Sequence, residues 1–295
     1  MTATRPPPTL RTRSAAWVVV ATTTQAADLA RNVAGRRAEV FGLLAPNADP
    51  HEYEVRPRDM KALVHADVVV RSGGDVDGWL GDALAGAGTH APVVTLLDHV
   101  ARRRTGDGVD PHWWQDPSNA VRAVAAIRAA LVRADPRHAS AYRAAAARYT
   151  KRLRALDAAV ARCLSGVPAA ERRLVSTHDA LGYYARRYGI RVIGAVIPSL
   201  STAGQPSAGE VAALVRTIRA QRVHAIFAEE SVNPKVEQAI AAETGARVGG
   251  ALWADTLGPP GSSGATYLSS IAANTRALVA GFTAGRRACE LPRER

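Results

Sequence analysis

Seven apolar side chains, Tyr142, Ala146, Tyr149, Leu153, Leu156, Val160 and Leu164, recur at three- and four-residue steps through the middle of the chain. That spacing places them on one face of an α-helix. Continued from Asp135 to Ser165, the helix is roughly 40 Å long at 1.5 Å per residue. Asp135-Pro136 reads as its N-cap followed by proline at the first helical position. A rod of this length with one buried stripe has to be covered by structure from both sides of the sequence, which makes it a rigid spine and not a flexible linker.

The flanking sequence supplies that structure. Before the spine, short apolar runs at Trp17–Ala21, Val40–Leu44, Val68–Val70 and Val93–Leu97 alternate with helical patterns at 26–33 and 58–66, and a further helix is expected over 117–134. After it, runs at 174–177, 191–197, 225–228 and 247–253 alternate with helical stretches at 210–222, 232–244 and 269–282. Strands alternating with helices predict an α/β fold with mainly parallel sheets. The expected organisation is an unstructured extension over 1–16, an N-terminal α/β lobe over 17–134, the spine over 135–165 and a C-terminal α/β lobe over 166–295.

The net charge of +12 invites a nucleic-acid reading, but 35 of the 38 basic residues are arginine, dispersed among acids. Arg102-Arg103-Arg104 is the one run of three. A coding bias toward arginine and alanine explains this better than a phosphate-binding face, so no nucleic-acid partner is expected. No stretch approaches the roughly 20 apolar residues of a membrane span. Arg5, Arg11 and Arg13 ahead of Ala15–Ala21 imitate a short signal peptide, but the apolar run reads better as a buried first strand. Cys163 and Cys289 lack metal-pair spacing; they form one bridge if the compartment is oxidising, or remain two buried thiols.

The tripeptide Asp-Pro-His occurs at Asp49-Pro50-His51 and again at Asp110-Pro111-His112. Proline fixes its own φ and holds the preceding residue extended, so each imidazole is presented from a stiff corner. His178 follows a strand, and Asp255 stands just past another. Three neutral imidazoles and one carboxylate form a closed tetrahedral set suited to Zn(II); Mn(II) would prefer more oxygen. Each residue also has an ordinary reading. A loop histidine is commonly a surface or hydrogen-bonded group, Asp49, Asp110 and Asp255 suit turns, and Asp116 suits a helix N-cap. Spacing alone leaves the two readings balanced. Trp113, Trp114 and Trp253 are either ordinary packing or an apolar wall that keeps water from the ion.

Beyond these four positions, five longer segments carry a resemblance: "NADPHEYEVRPRDMKALVHADVVVRSGGDVDGWL", "DPHWWQDPSNAVRAV", "STHDALGYYARRYGI", "FAEESVNPKVEQAIAAETGARV" and "WADTLGPPGSSGATYLSSIAANTRALV". In this order they resemble the cluster A-I solute-binding proteins of zinc and manganese ABC transporters, over nearly the whole chain. The resemblance implies two α/β lobes bridged by one long helix with the metal between them. Motif by motif, it implies the ligands His51, His112, His178 and Asp255. Members tuned to manganese commonly carry glutamate at the third position, so His178 resembles the zinc type. The resemblance further implies a receptor and not an enzyme, acting as a monomer. Its partner would be a membrane permease of the ABC type, with a zinc metallochaperone as a second candidate partner. The location would be the periplasm or the cell surface.

Two departures accompany the resemblance. Zinc-binding members often carry a long histidine-rich loop before the second Asp-Pro-His, and here that loop is the short, arginine-bearing Ala101 to Val109. No convincing signal peptide or lipobox cysteine stands near the start. Three competing readings remain at this level: a manganese receptor of the same family, a zinc hydrolase with Glu229 or Glu230 as general base, and a surface adhesin whose metal is structural.

Overall fold

Two parallel ladders arise where the β-branched runs lie. The computed structural model describes residues 17–106 and 108–291, and the expected extension over 1–16 lies outside them. In the N-terminal half β1 (Trp17–Ala21), α1 (Thr24–Ala34), β2 (Ala38–Gly42), α2 (Pro57–Val64), β3 (Val68–Arg71), α3 (Leu80–Ala87) and β4 (Val93–Thr95) follow one another. Their sheet has the order β2-β1-β3-β4, with every pair parallel. A two-stranded antiparallel hairpin of β5 (Arg104–Thr105) and β6 (Gly108–Val109) comes next, then α4 (Pro117–Ala134). After the spine α5 (Ala139–Ser165) come β7 (Arg173–His178), α6 (Gly182–Tyr188), β8 (Arg191–Ile197), α7 (Ala208–Gln221) and β9 (Ala225–Glu229). The chain closes with α8 (Lys235–Thr244), β10 (Arg247–Leu252) and α9 (Tyr267–Phe282). The second sheet has the order β10-β9-β7-β8, again parallel throughout.

Both sheets reverse their winding direction once, between β1 and β3 in the first and between β7 and β9 in the second. In open α/β sheets the crevice beyond the carboxyl ends at such a point is where ligands bind. β7 ends on His178 and β9 ends on Glu229, so these two residues flank the second reversal.

All seven stripe residues of α5 are buried, as the periodicity predicts. They belong to one apolar cluster that also takes in Val19, Leu29, Ile127, Leu174, Tyr184, Phe227 and Leu278, so this core joins both lobes to the spine, beside a smaller cluster on the other face of each sheet. The start of the spine departs from expectation. Pro136–His138 forms a turn of 3-10 helix and the α-helix proper begins at Ala139. Asp135 does not cap it, because its carboxylate lies 2.6 Å from His138 Nδ1 and accepts from the Tyr142 hydroxyl at 2.8 Å. The expected strand to Leu97 also stops early, and Leu96–His99 turns into 3-10 helix so that Leu97 N donates to Ser72 O.

Candidate metal centre

Each Asp-Pro-His folds the way its proline dictates. At the first, Asp49 Oδ1 accepts the amide of His51 at 2.9 Å and closes a 3-10 turn over Pro50–Glu52. At the second, Asp110 Oδ1 accepts both the amide of His112 at 2.9 Å and, at 2.7 Å, its Nδ1. Pro111 itself packs against Gly74, which has φ 87° and no room for a Cβ beside the proline ring. A glycine there lets the turn after β3 support the motif directly. Asp116, four residues on, caps α4 by accepting from Ser118 N at 2.8 Å.

All four candidate residues meet in one place. Three imidazoles converge through Nε2. His178 Nε2 stands 3.3 Å from His112 Nε2 and 3.0 Å from Asp255 Oδ2, His51 Nε2 is 3.3 Å from Asp255 Oδ2, and His112 Nε2 is 3.5 Å from Asp255 Oδ1. Their side chains are at most 3% exposed. Both Asp255 oxygens and His51 Nε2 nevertheless have no hydrogen-bond partner among the described residues. Buried polar atoms of this kind are costly unless something else satisfies them. Donors about 2.0–2.1 Å from a tetrahedrally bound ion lie roughly 3.3 Å apart, which is the scale of these separations.

Electrostatics follow from that crowding. Burial favours the neutral ring at His178, yet Glu229 and Asp255 outweigh it and hold the imidazole well above its ordinary pKa. At His51 burial again opposes protonation and Asp255 overcomes it, for a net rise. Burial also favours the neutral acid at Asp255, but His178 and His112 hold it well below the usual carboxylate range. The upward shifts of His178 and His51 and the downward shift of Asp255 all favour a charged pairing within the metal-free cluster.

Two carboxylates stand behind the cluster. Glu229 Oε1 accepts from His178 N at 3.1 Å and lies 2.7 Å from His178 Nδ1; Asp110 does the same for His112. Such partners fix the tautomer that aims Nε2 at an ion. The sequence offered Glu229 as a hydrolytic base, and its place behind His178 gives it a different task. Glu230 is exposed. The one available signal was positional, since Glu229 ends β9, the strand beside β7. Of the three tryptophans, Trp114 stacks edge-on to His112 at 5.4 Å, whereas Trp113 and Trp253 donate to Ser72 and Ser263.

Asp255 comes from the C-terminal half but is held by the N-terminal one. Trp114 Nε1 and Gln115 Nε2 both donate to Ala254 O, at 2.8 and 2.7 Å. Leu257 N donates to Thr24 Oγ1 at 2.8 Å, and Asn47 N donates to Leu257 O at 2.9 Å. Thr202 Oγ1 donates to Asp49 Oδ2 at 2.7 Å near the other side of the cleft.

A two-lobed α/β clamp with a three-histidine, one-aspartate cluster at its seam defines the class: a metal-binding solute receptor of ABC transporters. The family described as "Zinc-uptake complex component A periplasmic" matches residues 19–281, and the chain belongs to it. Its members are substrate-binding receptors that work with membrane permeases, and not enzymes. The chain is 34% identical over 259 residues to the manganese-binding lipoprotein MntA of Bacillus subtilis, covering 84% of each. It is 31% identical to the iron-binding protein YfeA of Yersinia pestis, over 90% of this chain and 86% of that protein. The solved structure of the periplasmic zinc-binding protein TroA from Treponema pallidum superposes with a TM-score of 0.86 at 28% identity, covering 91% of this chain and 99% of that one. Among the described residues no helix is long and apolar enough to cross a membrane. Cys163 and Cys289 are paired as a disulfide.

Proposed function

We propose that this chain is an extracytoplasmic zinc receptor that holds Zn(II) through His51, His112, His178 and Asp255 and passes it, as a monomer, to an ABC permease. The observation that carries the reading is the donor set: three imidazole nitrogens and one carboxylate, gathered within 4.8 Å of one another and buried. Nitrogen-rich closed sets suit zinc, whereas manganese and calcium take more oxygen. A closed set also favours holding an ion over activating water on it. Zinc here is cargo, loaded from solution or by a metallochaperone.

One observation favours a second reading. Both oxygens of Asp255 face the histidines, at 3.0 and 3.5 Å from His178 and His112, and a two-oxygen grip would add the fifth donor that manganese or ferrous iron accepts more readily. Competition separates the two. Metal-stripped protein is titrated with zinc, manganese and ferrous iron, beside a His178→Glu variant. The proposal expects zinc to bind tightest and the variant to shift preference toward manganese. Stoichiometric manganese retention against equimolar zinc overturns it.

Two further outcomes follow. Zinc at a thousandfold above its dissociation constant adds about 4 kcal/mol to stability and raises the melting temperature accordingly. Zinc also has to displace the protons that the raised imidazoles hold, so binding weakens as pH falls. Because His178 and His51 are shifted upward, the weakening begins above the ordinary imidazole value of about 6.5. Calorimetry at pH 7 in buffers of different ionisation enthalpy is expected to show net proton release; no release contradicts this account of the metal-free cluster.

A further inference from the structure

The run Arg102-Arg103-Arg104 leads into the β5–β6 hairpin ahead of the second Asp-Pro-His, and its middle member turns inward. Arg103 Nη1 donates to Asp110 Oδ2 at 2.7 Å, and Nη2 lies 3.5 Å from Asp179 Oδ2. Its side chain is 23% exposed, whereas Arg102 reaches outward to Asp98 and Arg104 lies exposed on β5. Asp110 thus has both oxygens engaged: Oδ1 by His112, Oδ2 by Arg103. Asp179 follows His178 in sequence, so one guanidinium links the carboxylate behind His112 to the residue next to His178, from opposite halves of the chain.

The seat of that guanidinium is built. A Cβ at Gly182, the first residue of α6, would overlap it, so glycine is what leaves the space. The backbone of the same residue is fixed as well. Arg103 N donates to the Tyr183 hydroxyl at 2.7 Å, that hydroxyl donates to Asp110 O at 3.1 Å, and Asp110 N donates to Arg103 O at 2.9 Å. Hairpin loop, second Asp-Pro-His and α6 therefore form one hydrogen-bonded clasp. Drawing His178 away from His112 breaks the Arg103–Asp179 pair and the Tyr183 bonds together.

From this geometry we propose that Arg103 is a positioning residue that slows metal release, by pinning Asp110 behind His112 and tying it across the cleft to Asp179. The proposal rests on the metal-centre reading. Departure requires the two halves to part with the ion still bound, and this is the step that the link opposes. Outer partners of metal ligands typically change affinity by about 10–100-fold when removed.

The test is a chelator chase of the zinc-loaded full chain, comparing wild type with Arg103→Ala, Asp179→Ala, their double variant and Gly182→Ala. Arg103→Ala is expected to release zinc about tenfold faster, the low end of the range for partners of ligands because it acts through Asp110. The double variant is expected to release no faster than the faster single variant, since both remove one link. Gly182→Ala keeps the charge but displaces it, and should release faster too; it decides the matter if Arg103→Ala does not fold. Release at the wild-type rate overturns the proposal, as does a lowered melting temperature of the metal-free protein with release unchanged. Multiplying effects in the double variant also overturn it. A wild type that takes up no zinc refutes the metal-centre reading itself, which is a different result.

Discussion

His178→Ala is expected to weaken zinc binding by a few hundredfold, the largest single effect on function among the residues discussed. Closed four-ligand zinc sites have apparent binding free energies of about 10–16 kcal/mol at neutral pH. One ligand of four then represents about 3–4 kcal/mol, or a few hundredfold in affinity. The position matters beyond its nitrogen. His178 ends the strand at the winding reversal of the second sheet and is the one cluster residue that Glu229 holds from behind. Its removal also leaves Glu229 buried without that partner. Affinity is read by competition with a chromogenic chelator, and zinc affinity within threefold of wild type removes His178 from the site.

Breaking the disulfide is expected to produce the largest change in stability. Cys163 lies in the last turns of the spine and Cys289 beyond the last helix, 126 positions later, so the bridge encloses the entire second sheet. In the chain-entropy account a loop of that length restrains the unfolded chain by about 5 kcal/mol, and measured losses typically span about 2–5 kcal/mol. A Cys163→Ser, Cys289→Ser variant should therefore melt about 3–8 °C lower than wild type. Reductant should move the wild type toward the variant and leave the variant where it is. Equal melting temperatures would mean that the cross-link adds nothing, for which strain or residual structure in the unfolded chain would be the place to look.

Much of this was legible in the sequence, for identifiable reasons. The spine stripe could be read because a long helix repeats its signal many times, and every predicted position is buried. The strands were legible as β-branched runs closed by glycine, proline or polar residues. Three short elements were not. The β5–β6 hairpin has two residues in each strand, and α3 and α6 have eight and seven, too few turns to show a period. Asp135 looked like a cap because Asp-Pro usually is one, and lost that role to His138 and Tyr142, which a local pattern cannot weigh.

The cluster shows the same division. His51 and His112 stand out because Asp-Pro-His is a stiff local unit whose geometry is set by neighbours in sequence. The supporting carboxylates follow two rules. Asp110 supports His112 from two residues away and could be read as a turn former, but its second contact, to Nδ1, is visible only in three dimensions. Glu229 reaches His178 from 51 positions away, through the pairing of β7 with β9. Nothing local to either residue signals that contact. The attachment of Asp255 to the opposite half, through Trp114, Gln115, Thr24 and Asn47, is of the same long-range kind.

The central claim is that one ion sits among His51, His112, His178 and Asp255. It is tested most directly by anomalous diffraction from crystals of the zinc-loaded protein, recorded on both sides of the zinc absorption edge. The account predicts one strong peak about 2.0–2.2 Å from the Nε2 atoms of the three histidines and from an Asp255 oxygen. A peak at any other place in a folded, zinc-loaded molecule, or one lacking contact with His178 or Asp255, would contradict it.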